Sequence, residues 1–267
     1  MRTIWQMTVL VLRTVMRDRL LLAVGMTGVV ISCAIPAFSL FSMRQVQELS
    51  ITLSLSAISF VLLVFTLLLG SSSIWHDIDR RFTTSLLGLP LSRSSYVLGK
   101  FCGISLVIIG CGLLLGVIAL GIIAFSSTLY ISDLPILWGN VISAICADIC
   151  KYLLLLAVAL LISTVGTSQF FPFFSSLAVY LAGSASQEVS EYVASQYGKT
   201  MSPVVRETSQ WLYYIIPNFS AFNFKVYAIY SLPLPVKNIL WSGTYFLVYA
   251  GLLLVCAVWS FERREMQ

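Results

Sequence analysis

Residues 51–74 read ITLSLSAISFVLLVFTLLLGSSSI, a run of 24 residues without a single charged side chain. An α-helix rises 1.5 Å per residue, so a run of this length crosses the ~30 Å hydrocarbon core of a bilayer. Residues 20–43 form a second uncharged run of the same length. These two runs predict a membrane protein with more than one spanning helix.

The composition of the whole chain supports the same prediction. Of its 267 residues, 58% are hydrophobic and 10% are charged, whereas a soluble domain carries about 45–50% apolar and about 25% charged residues. These values exclude a soluble enzyme, a nucleic-acid-binding protein and a disordered scaffold. The net charge of +5 requires no nucleic-acid partner, because Lys and Arg accumulate on the cytoplasmic side of membrane proteins.

Uncharged runs predict six transmembrane helices. Residues 152–187 are uncharged but too long for one straight helix, and the polar stretch 166–169 followed by Pro172 predicts a tight hairpin between two spans. Six spans take about 120 residues, which leaves enough chain for loops but not for a separate soluble domain. The predicted fold is all-α, one transmembrane domain over residues 1–267, with spans at about 20–43, 51–74, 101–125, 147–166, 169–187 and 238–261.

Basic residues predict the orientation of these spans. With the N-terminus inside, ten of the 16 Lys and Arg residues lie on the inner face, five lie on the outer face, and Lys151 is ambiguous. This asymmetry favours both termini in the cytoplasm. The inner residues are Arg2, Arg13, Arg17, Arg19, Arg80, Arg81, Arg93, Lys100, Arg263 and Arg264, and the outer residues are Arg44, Lys199, Arg206, Lys225 and Lys237.

Residues 1–19 form a separate amphipathic element. At about 100° per residue, they divide into a polar face with Arg2, Gln6, Arg13 and Arg17, and an apolar face with Ile4, Met7, Val11, Leu12 and Val15. This pattern predicts a helix in the cytoplasmic headgroup plane; the alternative is that it extends the first span into water. Arginines stand where a signal peptide has its apolar core, so we expect no cleavable signal peptide.

The segment between the fifth and sixth spans, residues 188–237, is rich in aromatic side chains and lies outside the membrane in this topology. Such density is typical of the outer membrane interface, and Pro217, Pro233 and Pro235 favour broken or re-entrant helices there. The aromatic residues are Trp211, Tyr213, Tyr214, Phe219, Phe222, Phe224, Tyr227 and Tyr230.

The sequence contains few candidates for catalysis or cofactor binding. It has one histidine, His76, and the cysteines Cys146 and Cys150 are one helical turn apart without a matching set of metal ligands. Gly99-Lys100 is followed by Phe101, not by the Ser or Thr of a phosphate-binding loop. We therefore expect no catalytic residue, no metal and no ATP or other cofactor bound by this chain.

Asp148 and Lys151 are the charged residues predicted to lie within a span. Their i,i+3 spacing allows an ion pair on one helix face. One interpretation is mutual neutralisation near the outer end of the fourth span, and the other is a polar lining for a translocation path. The remaining spans are almost free of charge, which argues against a proton- or sodium-driven carrier.

The cytoplasmic loop over residues 75–100 carries the most informative motif. It contains Leu86-Leu87-Gly88-Leu89-Pro90-Leu91-Ser92-Arg93, followed by Leu98-Gly99-Lys100. This arrangement resembles the loop of ABC-2 type transporter permeases, in which an acidic residue, a Leu-Leu pair and Pro-x-Ser-Arg precede a Gly-Lys that opens the third span. The six spans, the amphipathic N-terminal helix and the aromatic connection before the last span also resemble that family.

The resemblance implies a permease subunit of an ABC exporter in the cytoplasmic (inner) membrane. It would work with a second permease, identical or paralogous, and with two separate ATPase subunits that bind ATP and Mg²⁺. The alternative is a membrane partner of an ABC ATPase that relays force or assists assembly without transport. The coupling residues implied are Asp77, Asp79, Arg80, Arg81, Phe82, Leu86, Leu87, Pro90 and Arg93.

Overall fold

The computed structural model describes residues 2–39, 45–79, 92–129, 135–166, 168, 170–195 and 203–263. Over these ranges the secondary structure is helical, without strands, as the composition predicts. The α-helices are α1 (Arg2–Met16), α2 (Arg19–Ser39), α3 (Val46–Asp79), α4 (Arg93–Leu129), α5 (Trp138–Val165), α6 (Phe170–Ala194), α7 (Pro203–Ile215), α8 (Lys225–Ile229) and α9 (Val236–Arg263), with a 3₁₀ turn at Ser220–Phe222 before α8.

Five of the described helices are long and apolar enough to cross a membrane. The sixth predicted span, residues 169–187, falls within α6, which does not reach the same apolarity. Its C-terminal half contains Gly, Ser and Gln together with Glu188 and Glu191, so a sixth crossing stays a prediction. The five candidate spans are Leu21–Ser39, Val46–Ser71, Arg93–Thr128, Trp138–Val165 and Val236–Arg263.

Two of these helices begin well before the predicted boundaries. The third span was predicted to start at residue 101 and the fourth at 147, whereas α4 starts at Arg93 and α5 at Trp138. Both helices are therefore longer than the predicted spans, whose boundaries in the membrane stay a prediction, and Lys100, Asp148 and Lys151 lie inside the helices. Inside a protein, a charged side chain with polar partners can remain within a helix.

The break predicted at residues 166–169 separates α5 from α6. The last turn of α5 is closed by a hydrogen bond from the Gly166 amide to the Ile162 carbonyl oxygen, 2.9 Å long. Pro172 lies in the first turn of α6, where the ring disrupts no helical hydrogen bond. The chain therefore reverses here, and α6 packs back against α5.

Helix α5 lies at the centre of the bundle. In its most apolar stretch 72% of the residues are buried, against 17% in α2 and 22% in α9. The peripheral helices α2 and α9 direct large apolar side chains outward, as expected for lipid-facing or subunit-facing surfaces. The described elements are therefore arranged around α5, with α3 and α9 as its main neighbours.

Glycines on α4 allow α5 to approach closely. A Cβ atom placed on Gly112 would lie 2.7 Å from Ile149 Cγ1, and one on Gly116 would lie 3.1 Å from Ile145 Cγ2. Gly112 and Gly116 are four residues apart on α4, and Ile145 and Ile149 are four residues apart on α5. The two isoleucine side chains therefore pack against a surface of α4 on which the glycines present no side chain.

The second glycine pair on α4 receives α1. A Cβ atom would lie 2.6 Å from Met7 Cβ at Gly99 and 2.7 Å from Val11 Cγ1 at Gly103. Met7 and Val11 are buried at 4% and 6% exposure, and a turn at Arg17 separates α1 from α2. The N-terminal helix is thus a distinct element docked on α4 and does not extend the first span.

Candidate functional site

Only the two ends of the predicted coupling loop fall within the described residues. Asp77 and Asp79 belong to the last turns of α3, but their side chains are outside the description, and Arg93 is the first residue of α4. The assignment of these residues to ATPase coupling therefore stays a prediction throughout the loop. The predicted residues outside the described ranges are Arg80, Arg81, Phe82, Leu86, Leu87 and Pro90.

The start of α4 is fixed to the end of α9. Arg93 Nη1 donates a 2.7 Å hydrogen bond to the Glu262 carbonyl oxygen, a free acceptor in the last turn of a helix. One turn further, the Tyr96 ring stacks on Phe261 with 5.3 Å between ring centroids, and both side chains are almost fully buried. The C-terminal side of the loop is thus attached to the last span.

The same turn of α4 is tied to α3 and to α1. The Lys100 ammonium donates a hydrogen bond to the Ser73 carbonyl oxygen of α3 and lies 5.3 Å from the centroid of the Tyr96 ring. On the other side, Thr8 Oγ1 of α1 lies 3.5 Å from the Gly99 carbonyl oxygen. Four helices therefore converge at the base of the predicted coupling loop.

A second polar cluster lies deep among the helices. Asp148 is 1% exposed; its Oδ1 is 3.3 Å from Lys151 Nζ, so the pair expected from the i,i+3 spacing is present. Its Oδ2 lies 3.6 Å from Lys225 Nζ and accepts a 2.5 Å hydrogen bond from Ser59 Oγ. Lys225 Nζ also donates to Ser59 Oγ over 2.5 Å. We call Ser59, Asp148, Lys151 and Lys225 the charge cluster.

The charge cluster lies near the middle of the spanning helices. Asp148 and Lys151 are the eleventh and fourteenth of the 28 residues of α5, and Ser59 is the fourteenth of the 26 residues in its span. The expectation that the pair lies near the outer end of the fourth span was wrong, because α5 begins at Trp138. The buried position of Asp148 makes its charge dependent on protein partners.

Two tyrosines complete the surroundings of the Lys151 ammonium. Lys151 Nζ lies 4.9 Å from the Tyr152 ring centroid and 5.8 Å from that of Tyr180 on α6, within the range of cation–π attraction. The two hydroxyl oxygens are 3.4 Å apart. The ammonium is therefore held between a carboxylate and two aromatic faces.

Lys225 reaches the cluster because residues 216–235 fold back onto the bundle; we call them the re-entrant segment. Phe219 and Phe222 are each 1% exposed, so this part of the aromatic region is interior. Counting Lys225 among the outer-face residues missed its position. The signal that identifies it is the apolar aromatic sequence on both sides of a single Lys.

Side chains and backbone groups of α5 and α6 anchor the re-entrant segment. Asn140 Nδ2 donates to the carbonyl oxygens of Tyr227 and Leu232 at 2.9 and 2.7 Å. On α6, the Gly183 carbonyl accepts a 3.2 Å hydrogen bond from the Phe219 amide. These bonds satisfy backbone groups that would be costly to bury unpaired, and they bring Lys225 within reach of Asp148.

In the described part of the chain, no three His, Cys, Asp or Glu side chains come together in a group that could hold a metal ion. What the charge cluster offers is electrostatic: two ammonium groups facing one carboxylate. The base of the loop, by contrast, offers a mechanical connection among four helices.

Comparison with known protein families gives a match over nearly the whole chain. Residues 11–266 match the sequence model of a family described as ABC-2 family transporter protein. The match covers both the base of the coupling loop and the charge cluster. No curated protein matches the chain.

Proposed function

Because the chain belongs to the ABC-2 transporter family, we propose that it is the permease of an ABC exporter, driven by separate ATPase subunits. The family and the multi-span helical fold support an ABC permease, and the family implies partnership with ABC ATPase subunits in general. Export, as opposed to import, is the proposed direction. ATP and Mg²⁺ are bound by the partner in this proposal, and the permease itself is not an enzyme.

The observation that carries the proposal is the connection at the base of the coupling loop. A displacement of the loop by an ATPase would act on α3 through Lys100 and on α9 through Arg93, since both side chains bond to backbone carbonyl groups of those helices. Helix α3 continues without a break from Ser73 to Ser59, a distance of about 21 Å at 1.5 Å per residue. One rigid helix therefore joins the loop to the charge cluster.

The proposed assembly contains two ATPase subunits and a second permease, either an identical copy or a paralogue. Both termini and residues 75–100 lie in the cytoplasm in this proposal, which is supported by the excess of Lys and Arg on that face. The membrane is the cytoplasmic (inner) membrane. Helix α6 is the sixth crossing, with the polar end that carries Glu188 and Glu191 at the outer surface.

The test uses the permease co-purified with its ABC ATPase subunits and reconstituted in proteoliposomes. Arg93→Ala removes the bond to the Glu262 carbonyl and is expected to lower ATP turnover several-fold while the ATPase remains bound. Arg206→Ala, an exposed residue of α7, is the matched control and should leave turnover unchanged.

Equal ATP turnover in the Arg93→Ala, Arg206→Ala and wild-type complexes would show that the base of the loop does not couple the two subunits. ATP-dependent substrate flux that requires both subunits would separate a transporter from a membrane partner that only assembles with the ATPase.

A further inference from the structure

The charge cluster contains an excess of positive charge. Two ammonium groups, Lys151 and Lys225, face a single carboxylate, Asp148. The other close groups, Ser59 and the two tyrosine hydroxyls, are neutral. In the described part of the protein, no second carboxylate pairs with either lysine. An unbalanced charge at mid-membrane depth is unfavourable unless a counter-charge reaches it.

The exposure of the three side chains is unequal. The side chain of Asp148 is only 1% exposed, whereas the side chains of Lys151 and Lys225 are 10% and 21% exposed. The carboxylate is thus directed into the protein, and the accessible side of the cluster is cationic. The unused N–H donors of the two ammonium groups are the part that an incoming molecule would meet.

Within the described residues, a second identical copy of the chain offers no carboxylate at this depth other than its own Asp148. Asp148 is one of 11 Asp and Glu residues, and among those in the described ranges it is the one that falls in the middle of a membrane-spanning helix. The Asp148 of another copy is already paired with its own two lysines. The missing counter-charge is therefore better supplied by a ligand than by a symmetric partner.

We propose that the charge cluster binds the anionic group, a carboxylate or a phosphate, of the molecule that the permease transports. Lys151 and Lys225 donate charge-assisted hydrogen bonds to the anionic oxygens, and the buried Asp148 carboxylate lies on the opposite side of the two ammonium groups. The neighbouring rings of Tyr152 and Tyr180 provide an apolar wall. This inference rests on the proposed permease function and adds the chemical class of its substrate.

The experiment measures equilibrium binding to the permease–ATPase complex in nanodiscs of neutral phosphatidylcholine, with empty nanodiscs as background. The probes are radiolabelled oleate, which carries the anion on an apolar chain, and radiolabelled inorganic phosphate. Unlabelled monoolein, which has the same chain without a charge, is the competitor. We expect saturable binding of at least one anion that monoolein does not displace.

Four variants connect the binding to the charge cluster. Lys151→Met is expected to weaken anion binding roughly 10- to 100-fold, the effect of losing one hydrogen bond to a charged group, while Lys151→Arg retains it. Lys237→Met, at an exposed residue of α9, should have no effect. Asp148→Asn removes the competing carboxylate and should tighten binding, whereas a purely structural role would make both Lys151→Met and Asp148→Asn weaken it.

Binding of oleate alone would assign the site to the head group of an amphiphile, and binding of phosphate alone would assign it to a small anion. The inference is overturned if neither anion binds saturably, if monoolein displaces the label equally well, or if Lys151→Met binds like wild type. If Asp148→Asn does not fold, the comparison of Lys151→Met with Lys151→Arg decides. ATP turnover of the same complexes is recorded separately, so failure of the permease function and failure of anion binding are distinguished.

Discussion

Gly183→Ala tests whether the re-entrant segment is locked onto α6. A Cβ atom at Gly183 would overlap the Pro217 carbonyl oxygen and lie 2.7 Å from Phe219 Cδ2. The carbonyl belongs to the backbone and cannot rotate away, so α6 and the re-entrant segment must separate. That movement also stretches the 3.2 Å hydrogen bond from the Phe219 amide to the Gly183 carbonyl.

The magnitude follows from these contacts. Overpacking costs about 1–3 kcal/mol, the lost hydrogen bond about 1 kcal/mol, and the Ala side chain returns about 0.5–1 kcal/mol because it stabilises a helix relative to Gly. The net destabilisation expected is about 1–3 kcal/mol. Gly110→Ala is the matched control, because no atom lies within 4 Å of a Cβ at that position. The expected effect there is only the stabilisation of the helix by Ala relative to Gly.

Thermal unfolding of the purified proteins in detergent measures the difference. Gly183→Ala should melt below wild type, and Gly110→Ala should melt at or slightly above it. The reasoning is refuted if Gly183→Ala melts as high as Gly110→Ala, since the close approach of the re-entrant segment would then not constrain residue 183.

Three further changes test other contacts. Gly103→Ala places a Cβ 2.7 Å from Val11 Cγ1, so it should displace α1 and lower ATP turnover of the complex. Gly121→Ala, which has open space around its Cβ, is the control and should leave ATP turnover unchanged. Equal turnover in the two variants would contradict the docking of α1 on α4. Asn140→Leu leaves two carbonyl groups of the re-entrant segment without their donor, which should destabilise the protein by about 1–3 kcal/mol for each group. Limited proteolysis should then cleave that segment faster than in wild type. An unchanged cleavage rate would argue against Asn140 as an anchor. Tyr96→Ala should destabilise the protein by about 3–5 kcal/mol, as for other buried aromatic rings, and a melting temperature equal to that of wild type would show that the stacked pair does not fix α4 to α9.

Much of the fold was predictable because it depends on local sequence. Uncharged runs of sufficient length indicate membrane helices, since the bilayer sets the length that a helix must have. The break near Gly166 was also predictable from local sequence, because the effect of polar residues and of Pro172 on the backbone extends over only a few residues. The glycine pairs of α4 are visible in the sequence at a spacing of four residues, but the sequence does not show that α1 packs on one pair and α5 on the other.

The charge cluster was only half predictable. Asp148 and Lys151 are one helical turn apart, so their pairing follows from helix geometry. Lys225 and Ser59 are distant in sequence from Asp148, and no motif links the three positions. Their meeting depends on how the re-entrant segment packs between α3 and α5.

The sequence by itself determined that the chain is helical, lies in a membrane and resembles the ABC-2 permeases, because hydrophobic length and a short loop motif are local properties. Only the tertiary structure decided that α1 docks on Gly99 and Gly103, and that a lysine assigned to the outer face reaches a carboxylate at the middle of α5. The physical reason is that a buried charge is stable only beside its partners, and those partners come from helices that the linear sequence keeps far apart.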